Sequence, residues 1–420
     1  MATSVLGGIA LGYQLLWNQL RQLDGVQLFI AASAQGAEAN INAGHLLAAI
    51  SEQWSTQAPA LLLSPRSPQL LRDLLQHTPP NGPWLEVNEA WLGDPATTQH
   101  VRQAHQRGLK LVWRGEPGQR AGAAISGCFH KQMINLTPEE ALAGLRVSLH
   151  KHNGTDSSPL ARVQSPIVAG QIYEAVASRA LIEHCLDQQG AWGVAGWPLE
   201  DVLHGYRQQV IQPSQRAIVQ LVEATNTDES METVERLLGE EPILAYRFLR
   251  YANSAALGLR TEIDSLRHGL MVLGFAMLKK WLLEQLPQST SDLNLQPIRG
   301  AMVLRARLMA NLLQAGEEDD LRREIYLCGL LSQIDLMLGE PLGASLQRIP
   351  LPSRINSAIL GNSGPYLPYL EVATALESPH TQRTQAVTNR HRMGNDDVNR
   401  ALLKTLATAQ PHPAKGLLLV

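Results

Sequence analysis

The apolar residues of the C-terminal half recur at the spacing of an α-helix. Leu244, Phe248 and Ala252 follow one another at intervals of four, so they share one helical face. Pro242 fits the first helical position, where its missing N–H costs nothing. Gly258 supplies a stop signal a few residues after the stripe. The pattern therefore predicts a helix that begins at Pro242 and buries one face.

A second helical segment follows almost at once. Its apolar stripe consists of Ile263, Leu266, Leu270 and Leu273. Either Asp264 or Ser265 can cap its first turn. Gly274 ends this segment, and residues 275–286 fit a third. Closely spaced amphipathic segments of this kind predict a packed helical domain.

The first half of the chain alternates short apolar runs with amphipathic segments. The apolar runs predict strands at residues 6–17, 60–63, 84–87, 108–113, 128–134, 160–164 and 192–194. The amphipathic segments predict helices at residues 41–53, 69–75, 95–107, 137–149 and 167–189. Strand–helix alternation at this spacing predicts a parallel α/β sheet, most simply a barrel.

Composition agrees with a folded protein of two domains. Of the 420 residues, 45% are hydrophobic and 17% are charged, which is ordinary for globular proteins. A formal net charge of −3 provides no global attraction to nucleic acid or anionic lipid. Cys128, Cys185 and Cys328 are scattered, as is typical of buried thiols in a reducing cytoplasm. We expect no disulfide, no signal peptide and no membrane-spanning helix.

The helical half closely resembles the HDOD domain. The resemblance extends almost without gaps from about Ala217 to about Leu376. It is carried by Arg250-Tyr-Ala-Asn-Ser-Ala, Gly258-Leu-Arg, Ser265-Leu-Arg-His-Gly-Leu and Val272-Leu-Gly274. The resemblance implies an all-helical bundle that is related to the HD-type metal phosphohydrolases and lacks their metal ligands. It also implies a binding and scaffolding role in bacterial signalling.

The first half resembles a cyclic di-GMP (c-di-GMP) phosphodiesterase domain of the EAL type, as joined to HDOD in the YuxH-like family. Gly12-Tyr-Gln-Leu-Leu16 stands where that family has Gly-Tyr-Glu-Leu-Leu, and Trp84-Leu-Glu-Val87 matches its second acidic strand. Residues 108–113 match the strand that carries its Asp-Asp pair. Leu160-Ala-Arg-Val-Gln-Ser165 stands where it has Ala-Glu-Lys-Val-Glu-Thr, and Val194-Ala-Gly-Trp197 where it has Phe-Gln-Gly-Tyr. The resemblance implies a degenerate (β/α) barrel.

The acidic positions implied by this resemblance are largely replaced. Hydrolysis of a phosphodiester in that family needs two divalent cations, which require several carboxylate oxygens. Only Glu86 keeps its carboxylate. The other implied positions fall on Gln14, Arg114, Gly115, Ala161 and Gln164. One carboxylate cannot hold two cations and Arg114 would repel them, so we expect no metal, no cofactor and no phosphodiesterase activity.

Two interpretations of Arg114 remain open. Its guanidinium could contact a phosphate bidentately, which would let the barrel bind c-di-GMP without cutting it. Alternatively, it is paired with Glu116 or Glu86 inside the protein.

The helical half also lacks the His-Asp doublet that holds the metal in HD enzymes. Ser332 and Gln333 stand where the resemblance implies that doublet. Asp335 is one carboxylate on an otherwise apolar helix, so we expect it to cap a helix or to be hydrogen-bonded in the interior.

Basic residues are concentrated around the HDOD motifs. Arginine is enriched at protein interfaces because its planar fork pairs bidentately and its stem packs. The candidate interaction face consists of Arg250, Asn253, Arg260, Arg267 and His268. The alternative is a bundle surface laced with salt bridges to Glu240, Glu241 or Glu262. No helix-turn-helix pattern and no basic stripe with interleaved aromatic residues occurs, so we expect no DNA partner.

These observations predict a two-domain bacterial signalling protein of the cytoplasm. We expect an EAL-like barrel at residues 1–205, an HDOD bundle at residues 206–380 and a partly helical tail at residues 381–420. The expected activity is protein–protein regulation without catalysis, linked to c-di-GMP signalling. The alternative is a receptor for c-di-GMP or another nucleotide that uses the barrel.

Overall fold

Eight strands close into a barrel in the first part of the chain. The computed structural model describes residues 4–33, 41–152, 164–207, 209–258, 262–313 and 319–409. The strands are β1 Ile9–Trp17, β2 Leu23–Ala32, β3 Ala60–Pro65, β4 Trp84–Asn88, β5 Leu111–Arg114, β6 Lys131–Asn135, β7 Ile172–Glu174 and β8 Gly193–Ala195. Strand β1 runs antiparallel to both of its neighbours, whereas β2 to β8 pair in parallel. The barrel predicted from the alternating pattern is confirmed.

Helices connect most of the parallel strands. They are α1 Ala43–Gln53, α2 Pro68–His77, α3 Pro95–Gln106, α4 Pro138–His152 and α5 Arg179–Glu183, which continues as a π-helical turn at His184–Gln188. Local sequence explains where they begin. Ser67 Oγ accepts a hydrogen bond from Leu70 N–H, and Asp94 caps α3 in the same way, each followed by proline at the first helical position.

Two strands of the barrel, β2 and β7, differ from expectation. We did not predict β2, which is joined to β1 by a hairpin without a helix. We predicted a helix over residues 167–189, but β7 occupies Ile172–Glu174 and only Arg179–Gln188 is helical. Of the predicted strand at residues 160–164, residues 160–163 lie outside the described residues and Gln164 is not in a strand. A three-residue strand has too few positions to show an alternating pattern.

One end of the barrel interior is filled with apolar side chains. This core layer consists of Leu16, Leu62, Val112, Met133, Ile172 and Ala195, with Trp84 and Trp192 packed against it. Side chains two positions apart on a strand face the same side of a sheet. The residues that follow this layer by two positions, Ser64, Glu86, Arg114 and Glu174, therefore form a polar layer toward the carboxyl ends of the parallel strands.

Residues 199–374 form a separate compact unit built from helices. Its helices are α6 Leu199–His204, α7 Gln215–Asn226, α8 Met231–Gly239, α9 Pro242–Ala252, α10 Leu266–Gln285, α11 Gln296–Leu312, α12 Asp319–Leu331, α13 Ile334–Leu338, α14 Leu342–Leu346 and α15 Ser353–Ile359. The next helix, α16 Leu367–Leu376, continues two residues past the last residue of this unit. Leu244, Phe248 and Ala252 on α9 are fully buried, as their spacing predicts. Ser265 caps α10, and the backbone breaks at Gly274, where φ is +70°. No described helix is both long and apolar enough to cross a membrane.

The last two helices belong to the barrel unit. That unit comprises Met1–Pro198 and Ala375–Val420, so the divisions fall at 198 and 374 where we expected 205 and 380. Helices α17 Thr381–Arg390 and α18 Asn395–Ala407 pack on β1 and on the short helical turn Val5–Gly8. The apolar stripe of α18, which is Val398, Leu402, Leu403 and Leu406, is buried. Because the β1–β2 hairpin has no helix of its own, these two helices cover its outer face where we had expected a tail.

Candidate functional site

Glu86 accepts several hydrogen bonds in the polar layer of the barrel. Its Oε2 accepts hydrogen bonds from Ser64 Oγ at 2.6 Å and from Gln27 Nε2 at 2.7 Å. Gln27 Nε2 also lies 3.0 Å from Ser64 Oγ. All three side chains are buried, so neutral donors from β2 and β3 hold one face of this carboxylate. Gln27 Oε1 is buried and has no hydrogen-bond partner among the described residues.

Arg114 lies between the carboxylates of Glu86 and Glu174. Its Nε and Nη2 donate to the two oxygens of Glu174 at 3.0 and 2.9 Å, which is a bidentate pair. Its Nη1 lies 3.5 Å from Glu86 Oε1. The side chain of Arg114 is 26% exposed, against 5% for Glu86 and 9% for Glu174. The ion pairs are therefore mostly shielded from water, and Glu86 links them to the hydrogen bonds from Gln27 and Ser64.

Burial and charge act in opposite directions on these groups. Burial alone would lower the pKa of Arg114, but attraction to Glu86 and hydrogen bonding to Glu174 outweigh it and raise the pKa of the guanidinium. Burial raises the pKa of Glu174, and its bond to Arg114 opposes this. Burial also lowers the pKa of Arg66, whose guanidinium lies 4.5 Å above the Phe29 ring and is attracted by Glu86. At the barrel mouth, which is the end of the barrel that holds the polar layer, the buried carboxylates of Glu86 and Glu174 are thus set against the positive charges of Arg114 and Arg66.

This arrangement does not fit the two divalent cations of a phosphodiesterase. Within the described parts of the chain, no group of three or more His, Cys, Asp or Glu side chains is placed to hold a metal ion. The oxygens of Glu86 and Glu174 that face the mouth already contact Arg114. A divalent cation there would have to displace a guanidinium and overcome its repulsion.

The position after Arg114, which is Gly115, has no space for a side chain of any kind, and therefore none for a metal ligand. A Cβ atom at this position would lie 2.5 Å from Cη2 and 2.7 Å from Cζ2 of the Trp113 indole. Trp113 is buried, and its Nε1 donates a hydrogen bond to Glu89. The position where the family resemblance implies an aspartate is therefore closed by a fixed indole ring.

The predicted site residues are only partly brought together. Gln14 on β1 lies beside Gly196, whose Cβ would come within 2.7 Å of Gln14 Nε2. Ala161 lies outside the described residues, and Gln164 precedes β7 by several residues. We expected Arg114 to pair with Glu116 or Glu86; it pairs with Glu86 and, more closely, with Glu174.

Glu174 was missed, although the sequence contained a signal for it. Glu174-Ala-Val176-Ala-Ser178 keeps the spacing of the Glu-Lys-Val-Glu-Thr that we assigned to residues 161–165. The short strand β7 places this glutamate in the mouth. This spacing favours an alignment of the motif with residues 174–178, in which Glu174 takes the place of the first glutamate and Ala177 that of the second.

An arginine also occupies the region of the expected HD ligands. Ser332 Oγ lies 3.2 Å from Arg305 Nη1, which donates to it, and it donates in turn to Gly329 O at 2.8 Å. Arg305 is 6% exposed. Asp335 lies in the first turn of α13 and is half-buried.

The five residues of the candidate interaction face have different environments. The Asn253 amide bridges the turn after α9, since it donates to Leu249 O and Ile263 O and accepts from Ile263 N, each at 2.8 Å. Arg267 contacts Glu232 at 3.0 Å and Glu235 at 3.3 Å. His268 lies 3.6 Å from Asp264, and Arg260 is outside the described residues.

Arg250 differs from the other members of this face. It is exposed and lies 5.8 Å above the Tyr246 ring. It makes no ion pair with any described residue. Two of the three partners that we expected for these arginines are used elsewhere: Glu240 contacts Arg236 and Arg307, and Glu241 contacts Arg299.

Comparison with known proteins identifies the helical unit. Residues 211–346 match the HDOD domain. The chain is 28% identical over 160 residues to the uncharacterized protein YuxH of Bacillus subtilis, covering 37% of this chain and 38% of that protein. It is 22% identical over 177 residues to the cyclic di-GMP phosphodiesterase CdgJ of Vibrio cholerae, covering 42% of this chain and 41% of that protein. The chain thus spans about two-fifths of the length of the curated relatives it matches.

A comparison of structures covers a similar share of the chain. A manganese and c-di-GMP complex of Klebsiella pneumoniae BlrP1 is 13% identical, with a TM-score of 0.30, over 46% of this chain and 55% of that one.

The match to the HDOD domain agrees with the resemblance carried by residues 250–274 and with the all-helical structure around them. The chain therefore contains an HDOD domain, at residues 211–346.

Proposed function

We propose that this protein is a non-catalytic regulator of c-di-GMP-linked signalling in the bacterial cytoplasm. It acts through protein contacts of its HDOD unit, which is the helical unit at residues 199–374 that contains the HDOD domain. The observation that carries the proposal is Arg114, whose guanidinium bridges Glu86 and Glu174 at the barrel mouth. The names of CdgJ and BlrP1 support the link to c-di-GMP, since one is called a c-di-GMP phosphodiesterase and the other is a complex with that nucleotide.

Arg114 disfavours catalysis for an electrostatic reason. Metal-assisted hydrolysis needs cations that polarise the phosphate and activate water. Here a fixed monovalent cation takes the place between the two carboxylates. It can neither bind water as a Lewis acid nor be lost by deprotonation at physiological pH. Gly115 cannot be extended toward the site because of Trp113.

The same ion pair disfavours the receptor alternative. A phosphate of c-di-GMP could take the Arg114 fork only by separating it from Glu174, which would leave that buried carboxylate without its bidentate partner. We therefore place the interaction on the HDOD unit, where Arg250 is exposed and free of described acidic partners.

A turnover assay and a titration test the catalytic part. Purified protein is incubated with c-di-GMP and Mg²⁺ or Mn²⁺, next to Glu86→Gln. We expect no product above the Glu86→Gln background. Metal-dependent turnover that Glu86→Gln abolishes would overturn the proposal, and saturable calorimetric binding of c-di-GMP without turnover would replace it by the receptor alternative.

Charge reversal tests the protein contact. The full chain is used to capture partners from bacterial extract, with Arg250→Glu compared with Arg216→Glu, a second exposed arginine of the same unit. We expect proteins held by the wild type and by Arg216→Glu to be lost from Arg250→Glu at an unchanged melting temperature. Equal capture by all three proteins would remove Arg250 from the proposed contact.

A further inference from the structure

An open pocket of about 470 Å³ lies between α9 and the second half of α10, within the helical unit. It is lined by Arg247, Arg250, Tyr251, Ser254, Trp281 and Gln285. The first four are spaced at i, i+3, i+4 and i+7, so α9 and its last turn present them on one face. The other two are spaced at i and i+4 on α10. The lining contains two cations and no acid.

The positive charge of the pocket is not neutralised by its neighbours. Arg250 makes no ion pair with a described residue. Arg247 donates to the neutral amides of Gln285 at 3.2 Å and Gln212 at 2.9 Å. Burial lowers the pKa of Arg247, and the charge of Arg250 lowers it further against the attraction of Glu241.

Glu241 is too heavily engaged to serve as a counter-ion for the pocket. Its oxygens accept hydrogen bonds from Leu244 N at 2.6 Å and Ser214 N at 3.0 Å. Arg299 Nε lies 2.9 Å from Glu241 Oε1, and both side chains are buried. Neither guanidinium of the pocket therefore has an ion-pair partner among the described residues.

A hydroxyl and an aromatic wall complete the pocket. Ser254 Oγ is buried and has no hydrogen-bond partner among the described residues. Tyr251 stacks on Trp281 with ring centroids 5.7 Å apart and planes at 22°. Trp281 is in turn held edge-on against Phe248 at 5.6 Å. The wall is thus fixed by the core of the unit, and the Ser254 hydroxyl beside it is unpartnered among the described residues.

We propose that this pocket binds the phosphate group of a small molecule. Two guanidiniums match the charge of a phosphate dianion, and their N–H groups supply donors for its oxygens. The volume lies in the range of small-molecule sites, and Tyr251 and Trp281 offer an apolar wall to the rest of the ligand. This inference does not rest on the proposed protein contact: it gives the HDOD unit a ligand of its own.

Equilibrium binding to the full chain tests the inference, with inorganic pyrophosphate and GMP as probes at constant ionic strength. Guanosine is the neutral control. We expect saturable binding of at least one phosphorylated probe. Arg250→Gln should weaken it by about tenfold or more because a charge-assisted hydrogen bond is lost. Ser254→Ala should weaken it less, and Arg216→Gln, which alters an exposed arginine outside the pocket, should leave it unchanged.

The two probes distinguish the source of the phosphate. Binding of pyrophosphate alone would assign the pocket to a free phosphate, and tighter binding of GMP to a nucleotide. Arg247→Gln is a weaker test, because it also removes the two hydrogen bonds that Arg247 donates to Gln285 and Gln212. Arg250→Gln removes neither of these hydrogen bonds.

Several outcomes would overturn the inference. They are no binding of either probe up to about 10 mM, equal binding by Arg250→Gln and wild type, equal loss in Arg216→Gln, and binding of guanosine as tight as that of GMP. Loss of partner capture in Arg250→Glu without any phosphate binding would also overturn it and assign Arg250 to an acidic protein surface. Turnover of c-di-GMP would overturn only the proposed function.

Discussion

At the scale of single residues, Arg114 takes the electrostatic role that a bound cation has in a metal enzyme. Its single positive charge is shared by two carboxylates that would otherwise repel each other in a buried site. Arg305 stands in the corresponding region of the HDOD unit, where it donates to Ser332. The family resemblance links two regions of the chain to metals, and each holds an arginine. Arg114 contacts Glu86 and Glu174 in the barrel, and Arg305 contacts Ser332 in the HDOD unit.

Removal of the Arg114 charge should destabilise the barrel unit. Arg114→Gln leaves Glu86 and Glu174 close together without their shared cation, which should cost about 3 kcal/mol of unfolding free energy. Chemical denaturation measures the loss. Arg179→Gln, which breaks a half-exposed i,i+4 pair with Glu183, should cost less than about 1 kcal/mol. A cost no larger than that of this control would contradict the account.

The loss of unfolding free energy in Arg114→Gln should be smaller at low pH than at high pH. Burial raises the pKa of Glu174 above its ordinary value, so stabilisation from its protonated form is present at low pH and is lost as pH rises through the folded pKa. Arg114 opposes that rise, so the difference between Arg114→Gln and wild type should be smaller at about pH 5 than at about pH 8. An equal difference at both pH values would show that Glu174 does not carry the penalty.

Gly115 should tolerate no side chain. Gly115→Ala places Cβ against the buried Trp113 ring, and the required shift should cost about 1–3 kcal/mol. Gly122→Ala is a matched control, because nothing lies within 4 Å of a Cβ there. Thermal unfolding of the two variants should therefore differ clearly; identical melting temperatures would mean that Trp113 moves freely.

At the scale of elements, α9 and α10 form the centre of the HDOD unit. Phe248 is fully buried, packs on Trp281, and lies so close to Gly269 that a Cβ there would be 2.7 Å from its ring. Phe248→Ala should therefore cost about 3–5 kcal/mol through lost burial and a residual cavity. Near-neutral unfolding of this variant by heat or urea would be incompatible with the packing described.

The two arginines of the candidate face should respond differently to charge reversal. Arg267→Glu puts a third carboxylate beside Glu232 and Glu235, so it should lower the melting temperature. Glu232→Arg should restore part of the loss, whereas Glu235 also pairs with Arg323. Arg250→Glu breaks no described ion pair and should leave the melting temperature nearly unchanged. The reverse order of effects in differential scanning calorimetry would refute these assignments.

Helices with strong caps and stripes could be predicted from the sequence, whereas short strands could not. The 3.6-residue period identified α9, and the glycine stop signal identified the break at Gly274. Ser265, one of the two expected caps, does cap α10. Strand β7 has three residues, so its glutamate was lost from the predicted site. Strand β2 carries the buried polar Gln27, whose partners Ser64 and Glu86 come from distant parts of the chain.

At the scale of the whole molecule, α18 ties the end of the described chain to its beginning. Asn399 Nδ2 donates to Leu6 O at 2.8 Å and to Ile9 O at 3.0 Å, and all are buried. Asn399→Ala leaves two buried carbonyls without this donor and should cost about 1–3 kcal/mol. Lys404→Ala alters an exposed residue of the same helix and should be near neutral in the same denaturation series. Equal stability of both variants would argue against this anchor.

The division of the barrel unit between residues 1–198 and 375–420 has a thermodynamic consequence. Helices α17 and α18 reach β1 through a covalent path that includes the whole HDOD unit. When that unit is folded it acts as a compact insert, and when it unfolds it becomes a long flexible loop whose closure costs entropy. The effective concentration of α17 and α18 at the barrel then falls. Loss of structure in the HDOD unit is therefore communicated to the barrel by chain connectivity alone.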